Sequence, residues 1–341
     1  MTWGLSIDPG FSEVRVAVLA SCGEVELRSL PPEDDPFEWF ERTYGSRPEC
    51  AAIAGGYYAP CPPGVYLIDE RMTGDAMRLA PWHPRNRMTV RAFEYCRDSG
   101  IPGVAVDPMS SAALSEEATL SGYPARERRG VYYAFPLRQA FRLASESSGL
   151  SPDSARGITV YLGDEVSVAA HDGPRVVATS DPIDCEGPYG FTSAGTAPAI
   201  SFISWLERGG KGSGSRDEIL KTLKARSGVF AYAGVASLSG LLKEIEDGND
   251  DAARAVRGMA YQVSKEIGRA MAALKGTAGA VVLTGPGVCV DLLVRGIEER
   301  VSKWCPVIRV SQDDCMRTLV REGLAAAAAK RFLRYPEEKR S

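Results

Sequence analysis

A chain of 341 residues, 44% hydrophobic and 25% charged with a formal net charge of -4, has the make-up of a globular protein long enough for two domains with a core each. The acidic balance argues against a nucleic-acid partner, and no run of about 18 apolar residues is present to cross a membrane. The eight cysteines are scattered, with no Cys-x-x-Cys pair and only His83 and His171 as imidazoles, so free thiols in a reducing compartment are expected rather than zinc.

The N-terminal "MTWGLSIDPG" runs directly into a strand, not an export signal, which leads us to expect a cytoplasmic protein. An apolar run ends at Asp8, Pro9-Gly10 turns the chain, an alternating strand follows from Val14 to Leu19, and Gly23 turns it into a third strand. Next come a helix over Pro36 to Tyr44, strands at Ala51 to Ala54 and Val65 to Asp69, a helix over Pro84 to Cys96, and the strand "GVAVD" ending on Asp107. Residues 157 to 181 repeat the opening pattern: apolar to Leu162, a turn at Gly163, alternation through Val166, Val168 and Ala170, and a turn at Asp172-Gly173. Two such units, at 3 to 30 and 157 to 181, predict an internal duplication with domains at 1–150 and 151–341, the last helix able to pack back on the first.

Residues 207 to 218, "ERGGKGSGSRDE", read as a surface loop. Asn249 is placed to cap a long helix with Val256, Ala260, Val263, Ile267, Ala270 and Leu274 on one face, and Gly276 to end it. Strand "AVVLT", loop "GPGV", a helix over Asp291 to Val301, strand "PVIRV" and an Ala-rich helix from Asp314 to Phe332 complete an α/β alternation.

In open α/β sheets ligands collect beyond the C-terminal strand ends, which here carry Asp8, Asp107, Gly163, Asp184, Gly285 and the pair Asp313-Asp314. Asp8-Pro9-Gly10 reads first as a plain turn and only second as a carboxylate that could hold hydrated Mg²⁺. The loop "TGPGV" permits close backbone approach to a ligand but also serves as a simple strand-to-helix link. Asp313-Asp314 complements a helix N-terminus without any metal. The run "ARERRG" offers Arg126, Arg128 and Arg129 either as an anion clamp or as a solvated face. The turn after Leu162 has the outline of a phosphate cradle, yet its tip is Asp164 and Glu165.

Together "PPGVYLID", "SGIPGVAVDP", "SVAAHDGPRVV", "IDCEGPYGFTSAGTAP", "AYQVSKEIGRAMAALKG", "AVVLTGPG" and "VSKWCPVIRV" resemble, in order and spacing, the butyrate kinase branch of the acetate kinase family. That family lies within the superfamily of sugar kinases, actin and heat-shock chaperone ATPases. The chain is also similar to the archaeal group labelled predicted butyrate kinases. The resemblance implies an α/β protein of two ribonuclease-H-like, actin-like ATPase domains related by duplication, with ATP and Mg²⁺ in an interdomain cleft. It also implies phosphoryl transfer to a short-chain carboxylate and a homodimer. Carried over by position, Asp107 matches the catalytic Asp and Arg15 the basic residue of the first phosphate loop. Gly10, Ser12, Gly163, Gly285 and Gly287 fall on the nucleotide and phosphate side, Asp184 and Glu186 on the substrate side, and Asp8, Asp313 and Asp314 near the metal.

Several positions depart from the family pattern. Asn-Pro-Gly has become Asp8-Pro9-Gly10, followed by Phe11, Ser12, Glu13, Val14 and Arg15 with most hydroxyls gone. An arginine is missing before Gly55-Gly56, another is replaced near Ser193, and the family histidine and asparagine fall on Tyr133 and Pro136. Phosphoryl transfer depends on cations that meet spreading negative charge, and removing one such arginine costs on the order of 10³ in rate. Glu165 adds repulsion, about 1 kcal/mol between like charges 4 Å apart in water, unless a divalent cation reverses it. The expectation is a degenerate kinase site. Three readings follow: an active kinase, a silent nucleotide-binding or scaffold protein, and, more distantly, a metal-dependent ribonuclease-H-like nuclease.

Overall fold

The computed structural model describes residues 3–209 and 214–336. Its packing divides the chain into two units, one built from Met1–Ala112, Ala134–Gln139 and Gln312–Ser341, the other from Ala113–Tyr133 and Ala140–Ser311.

In the first unit β1 (Trp3–Pro9), β2 (Val14–Ala20) and β3 (Val25–Leu30) form an antiparallel meander. β4 (Cys50–Ala54) and β6 (Gly103–Val106) extend it in parallel from β1, and β5 (Val65–Leu67) closes the edge antiparallel, giving the order β3-β2-β1-β4-β6-β5. Leu5, Ile7, Val16, Val18, Phe37, Phe40 and Ile53 fill its core, each such side chain worth about 1.5–3 kcal/mol on full burial. The helix Gln312–Ala329 lies against β1 and β4. It approaches so closely that a β-carbon on Gly323 would sit 2.4 Å from the Ala52 Cβ.

In the second unit β7 (Arg156–Leu162), β8 (Val166–Asp172) and β9 (Arg175–Thr179) make the same meander. β10 (Ala280–Thr284) and β11 (Val307–Arg309) add to β7 in parallel, so the order reads β9-β8-β7-β10-β11. Three antiparallel strands followed by parallel ones, starting from the first strand of each copy, is the topology a duplication requires. The helix Asp250–Ala273 is capped by Asn249, whose side chain accepts from the amides of Asp251 and Ala252, and it buries Val256, Ala260, Val263, Ile267 and Ala270. Gly276 leaves it in the left-handed conformation at φ 74°.

The expected helices at 36–44 and 291–301 are present with those bounds. That expected over 84–96 runs on to Ser99, and the last helix spans Gln312–Ala329 rather than 314–332. Of the loop expected over 207–218, residues 210–213 lie outside the described residues, and Ser215 already caps the helix Arg216–Ala225. Among the described residues no helix is long and apolar enough to cross a membrane.

Candidate functional site

Because β1, β4 and β6 are parallel, their C-terminal ends share one edge of the first sheet. The registers Ile7↔Ile53 and Ala54↔Val106 place Gly55 and Asp107 immediately beyond it, and Asp8 one residue past the last β1–β4 pair. Asp107 holds a left-handed φ of 47°, a conformation that costs an ordinary residue of order 1–3 kcal/mol. Its amide donates to the Gly64 carbonyl at 2.8 Å. Gly55 is needed opposite it, since a β-carbon there would lie 2.7 Å from the Pro108 backbone. Burial raises the Asp107 carboxyl above the usual range, against the pull of Arg138 and of a backbone hydrogen bond at Gly64. Arg138, on the helix Ala134–Ser147, brings its Nε to 3.5 Å from Asp107 Oδ2.

Asp8 is also buried, and Arg85 Nη2 stands 2.7 Å from its Oδ1. Arg85 comes from the first turn of the helix Pro84–Ser99, which His83 caps by accepting from the Arg85 amide. Neither Arg85 nor Arg138 was among the residues expected at the site. Arg15 pairs with Asp313 and lies 3.6 Å from Glu13. Gly10 and Ser12 lie in the β1–β2 turn, closed by Gly10 N donating to Glu13 O at 2.8 Å.

Of the acids expected near Mg²⁺, Asp8 and Asp313 each carry a guanidinium here, which a metal at either would have to displace.

In the second unit, β7 and β10 run parallel with Thr284 opposite Tyr161, so Gly163 and Gly285 leave adjacent strand ends. Gly285 takes φ 91°, where a β-carbon would meet the Leu162 carbonyl at 2.7 Å, and one on Gly287 would meet the Leu162 Cβ at 2.7 Å. This close glycine turn is the shape a nucleotide loop needs. The turn 163–165 answers the puzzle of its acids. Glu165 is 1% exposed; Lys224 Nζ lies 2.8 Å from one of its oxygens and the Tyr133 hydroxyl donates to the other at 2.5 Å. Lys224 also donates to the Pro182 carbonyl. Burial disfavours the Lys224 charge, but Glu165 and Cys185 together more than offset it and raise the pKa of the ammonium. The repulsion expected from Glu165 is thus cancelled by a buried lysine rather than by a metal, and Tyr133, which the resemblance set at the family's histidine position, serves the same carboxylate. The Asp164 carbonyl accepts from the amides of Thr192 and Ser193 at 3.2 and 3.0 Å, which fastens the turn to the segment where an arginine was expected.

The substrate-side acids are likewise engaged. Arg129 lies 2.7 Å from Asp184 and 3.3 Å from Asp181, while Glu186 takes Arg128 and, at 2.5 Å, Arg269. Arg128 and Arg129 are ion-paired within the unit with about a third of each side chain exposed, while Arg126 is exposed. Burial lifts the Asp181 carboxyl to about 6. His171 is buried against Phe141 at 4.3 Å and hydrogen-bonds Thr159, a packing role.

Residues 140–314 match the acetokinase family. A probable butyrate kinase of Enterococcus faecalis is 28% identical over 358 aligned positions, covering 98% of both chains, and one of Maridesulfovibrio salexigens is 29% identical over 82% of this chain and 78% of its own. Among solved structures, a propionate kinase from Francisella tularensis aligns with a TM-score of 0.72 at 15% identity, covering 95% of this chain and 100% of that one. The Porphyromonas gingivalis acetate kinase aligns with a TM-score of 0.69 at 19% identity, covering 95% and 99%. Both likenesses support the duplicated two-domain fold.

Proposed function

The chain belongs to the acetokinase family, and from that premise we propose that it transfers the terminal phosphoryl group of ATP to the carboxylate of a short-chain fatty acid such as acetate, propionate or butyrate. In that reaction a carboxylate oxygen attacks phosphorus and ADP leaves, with no proton to move, so the protein's work is positioning and charge. The observation that carries the reading is the Arg138–Asp107 pair at a strand end. Arg138 supplies the guanidinium that meets charge spreading over the transferring group, and Asp107 aims it. Gly163, Gly285 and Gly287 are the proposed nucleotide loops. On the same premise the protein acts in the cytoplasm as a homodimer, without a nucleic-acid partner.

A second reading, a nucleotide-binding protein that transfers nothing, draws support from the Glu165–Lys224 closure of the second loop and from Ser193 in place of an arginine. Calorimetry with ATP and Mg²⁺, followed by measurement of ADP release with and without butyrate, separates the two. Carboxylate-dependent ADP release supports transfer; ATP binding with no release supports the silent reading; absence of ATP binding overturns both.

A further inference from the structure

The first unit holds a cavity of about 380 Å³ that the proposed transfer does not use, behind the β1–β2 turn. Phe11 and Trp82 form its aromatic floor, with ring centroids 6.3 Å apart and planes 20° from parallel, and Met88 adds to it. Its walls carry both signs of charge. Arg91 and Asp35 close on each other at 2.5 Å. Arg87 and the two acids Glu33 and Asp34 also line the cavity, are exposed, and make no ion pair among the described residues. Opposite charges that border one cavity without reaching one another leave room for a ligand that carries both.

We propose that this cavity binds an α-amino acid with a large apolar or aromatic side chain, in its zwitterionic form. The carboxylate would be held by Arg87, the ammonium by Glu33 and Asp34, and the side chain would lie on Phe11 and Trp82. A plain anion would be repelled by the two acids and a plain cation by Arg87, so neither class fits the whole lining. A volume of this order and an apolar floor with a few convergent polar groups are the ordinary features of a small-molecule site. The inference stands apart from the kinase reading, because Arg87, Glu33 and Asp34 take no part in the proposed transfer.

Calorimetry and saturation-transfer NMR on the full chain test it with four probes: L-phenylalanine, phenylacetate, phenethylamine and glycine. The expected result is that phenylalanine binds at least about tenfold tighter than either singly charged analogue, the size of one charge-assisted contact, with glycine undetected. Arg87→Ala and the double variant Glu33→Gln/Asp34→Asn should each weaken phenylalanine by about tenfold. All three residues are exposed, so these variants should melt with the parent. No binding of phenylalanine at millimolar concentration would overturn the proposal. Equal binding of phenylacetate or phenethylamine, or unchanged affinity in the variants, would overturn it as well.

Discussion

Arg138 Nε lies 3.5 Å from Asp107 Oδ2, a guanidinium set against a buried carboxylate whose backbone is held at φ 47°. The two residues lie 31 positions apart, and their pairing brings a cation to the end of β6, next to the β4 end where the family resemblance led us to expect an arginine before Gly55. Asp107→Asn and Arg138→Ala should each lower carboxylate-dependent phosphoryl transfer by on the order of 10³. The double variant should fall little further, because residues that act as a unit are not additive. Steady-state rates of the three proteins check this, and losses that simply multiply would mean the pair does not work as one.

The Glu165–Lys224 pair should behave as a buried structural bridge. Both side chains are at most 3% exposed, so Lys224→Met would strand a carboxylate in the core and cost about 3–5 kcal/mol. The double variant Glu165→Gln/Lys224→Met should recover most of that loss. Urea unfolding of the three proteins is the measurement, and a tolerant Lys224→Met would refute the bridge.

Asp181 gives a pH signature. Its folded carboxyl titrates at about 6, well above the ordinary aspartate range, because burial disfavours the charge. The folded state therefore holds the proton more tightly than the unfolded chain. This group's contribution is most favourable below pH 4 and is lost as pH rises from about 4 to about 6, by at most about 3 kcal/mol. Asp181→Asn keeps an acceptor for the amides of Ile183 and Asp184 and should flatten that decline, so that the variant gains on the parent between pH 4 and pH 7. Thermal melts across this range decide it.

The Asp8–Arg85 pair offers a third structural test. With Asp8 5% and Arg85 1% exposed, Asp8→Asn should cost about 3–5 kcal/mol, since the buried Arg85 guanidinium loses its carboxylate at 2.7 Å. If Asp8 instead serves chiefly as a metal ligand, the same change would spare stability in metal-free buffer and weaken Mg²⁺ binding.

What the sequence made legible was local. The Asn249 cap and the apolar face through Ile267 fixed the long helix, and turns at Gly10 and Gly163 exposed the duplicated meander, because caps, periods and turns act over a few residues. The charges that complete the site act over longer separations: 77 residues from Asp8 to Arg85 and 59 from Glu165 to Lys224. Reading the acids of the second turn without Lys224 gave a repulsive loop where the fold pairs Glu165 with a buried ammonium. A signal was available, since Lys224 stands four residues after Leu220 on the apolar side of "EILKTLKA", an unusual place for a lysine that lacks a buried partner.

The most direct test of the account is acyl phosphate formation, trapped as the hydroxamate, from ATP with acetate, propionate and butyrate. The account predicts product from at least one of the three with the parent protein, and a loss on the order of 10³ in Arg138→Ala assayed below its own melting transition. No trapped product from any of the three acids, or full activity in Arg138→Ala, would contradict it.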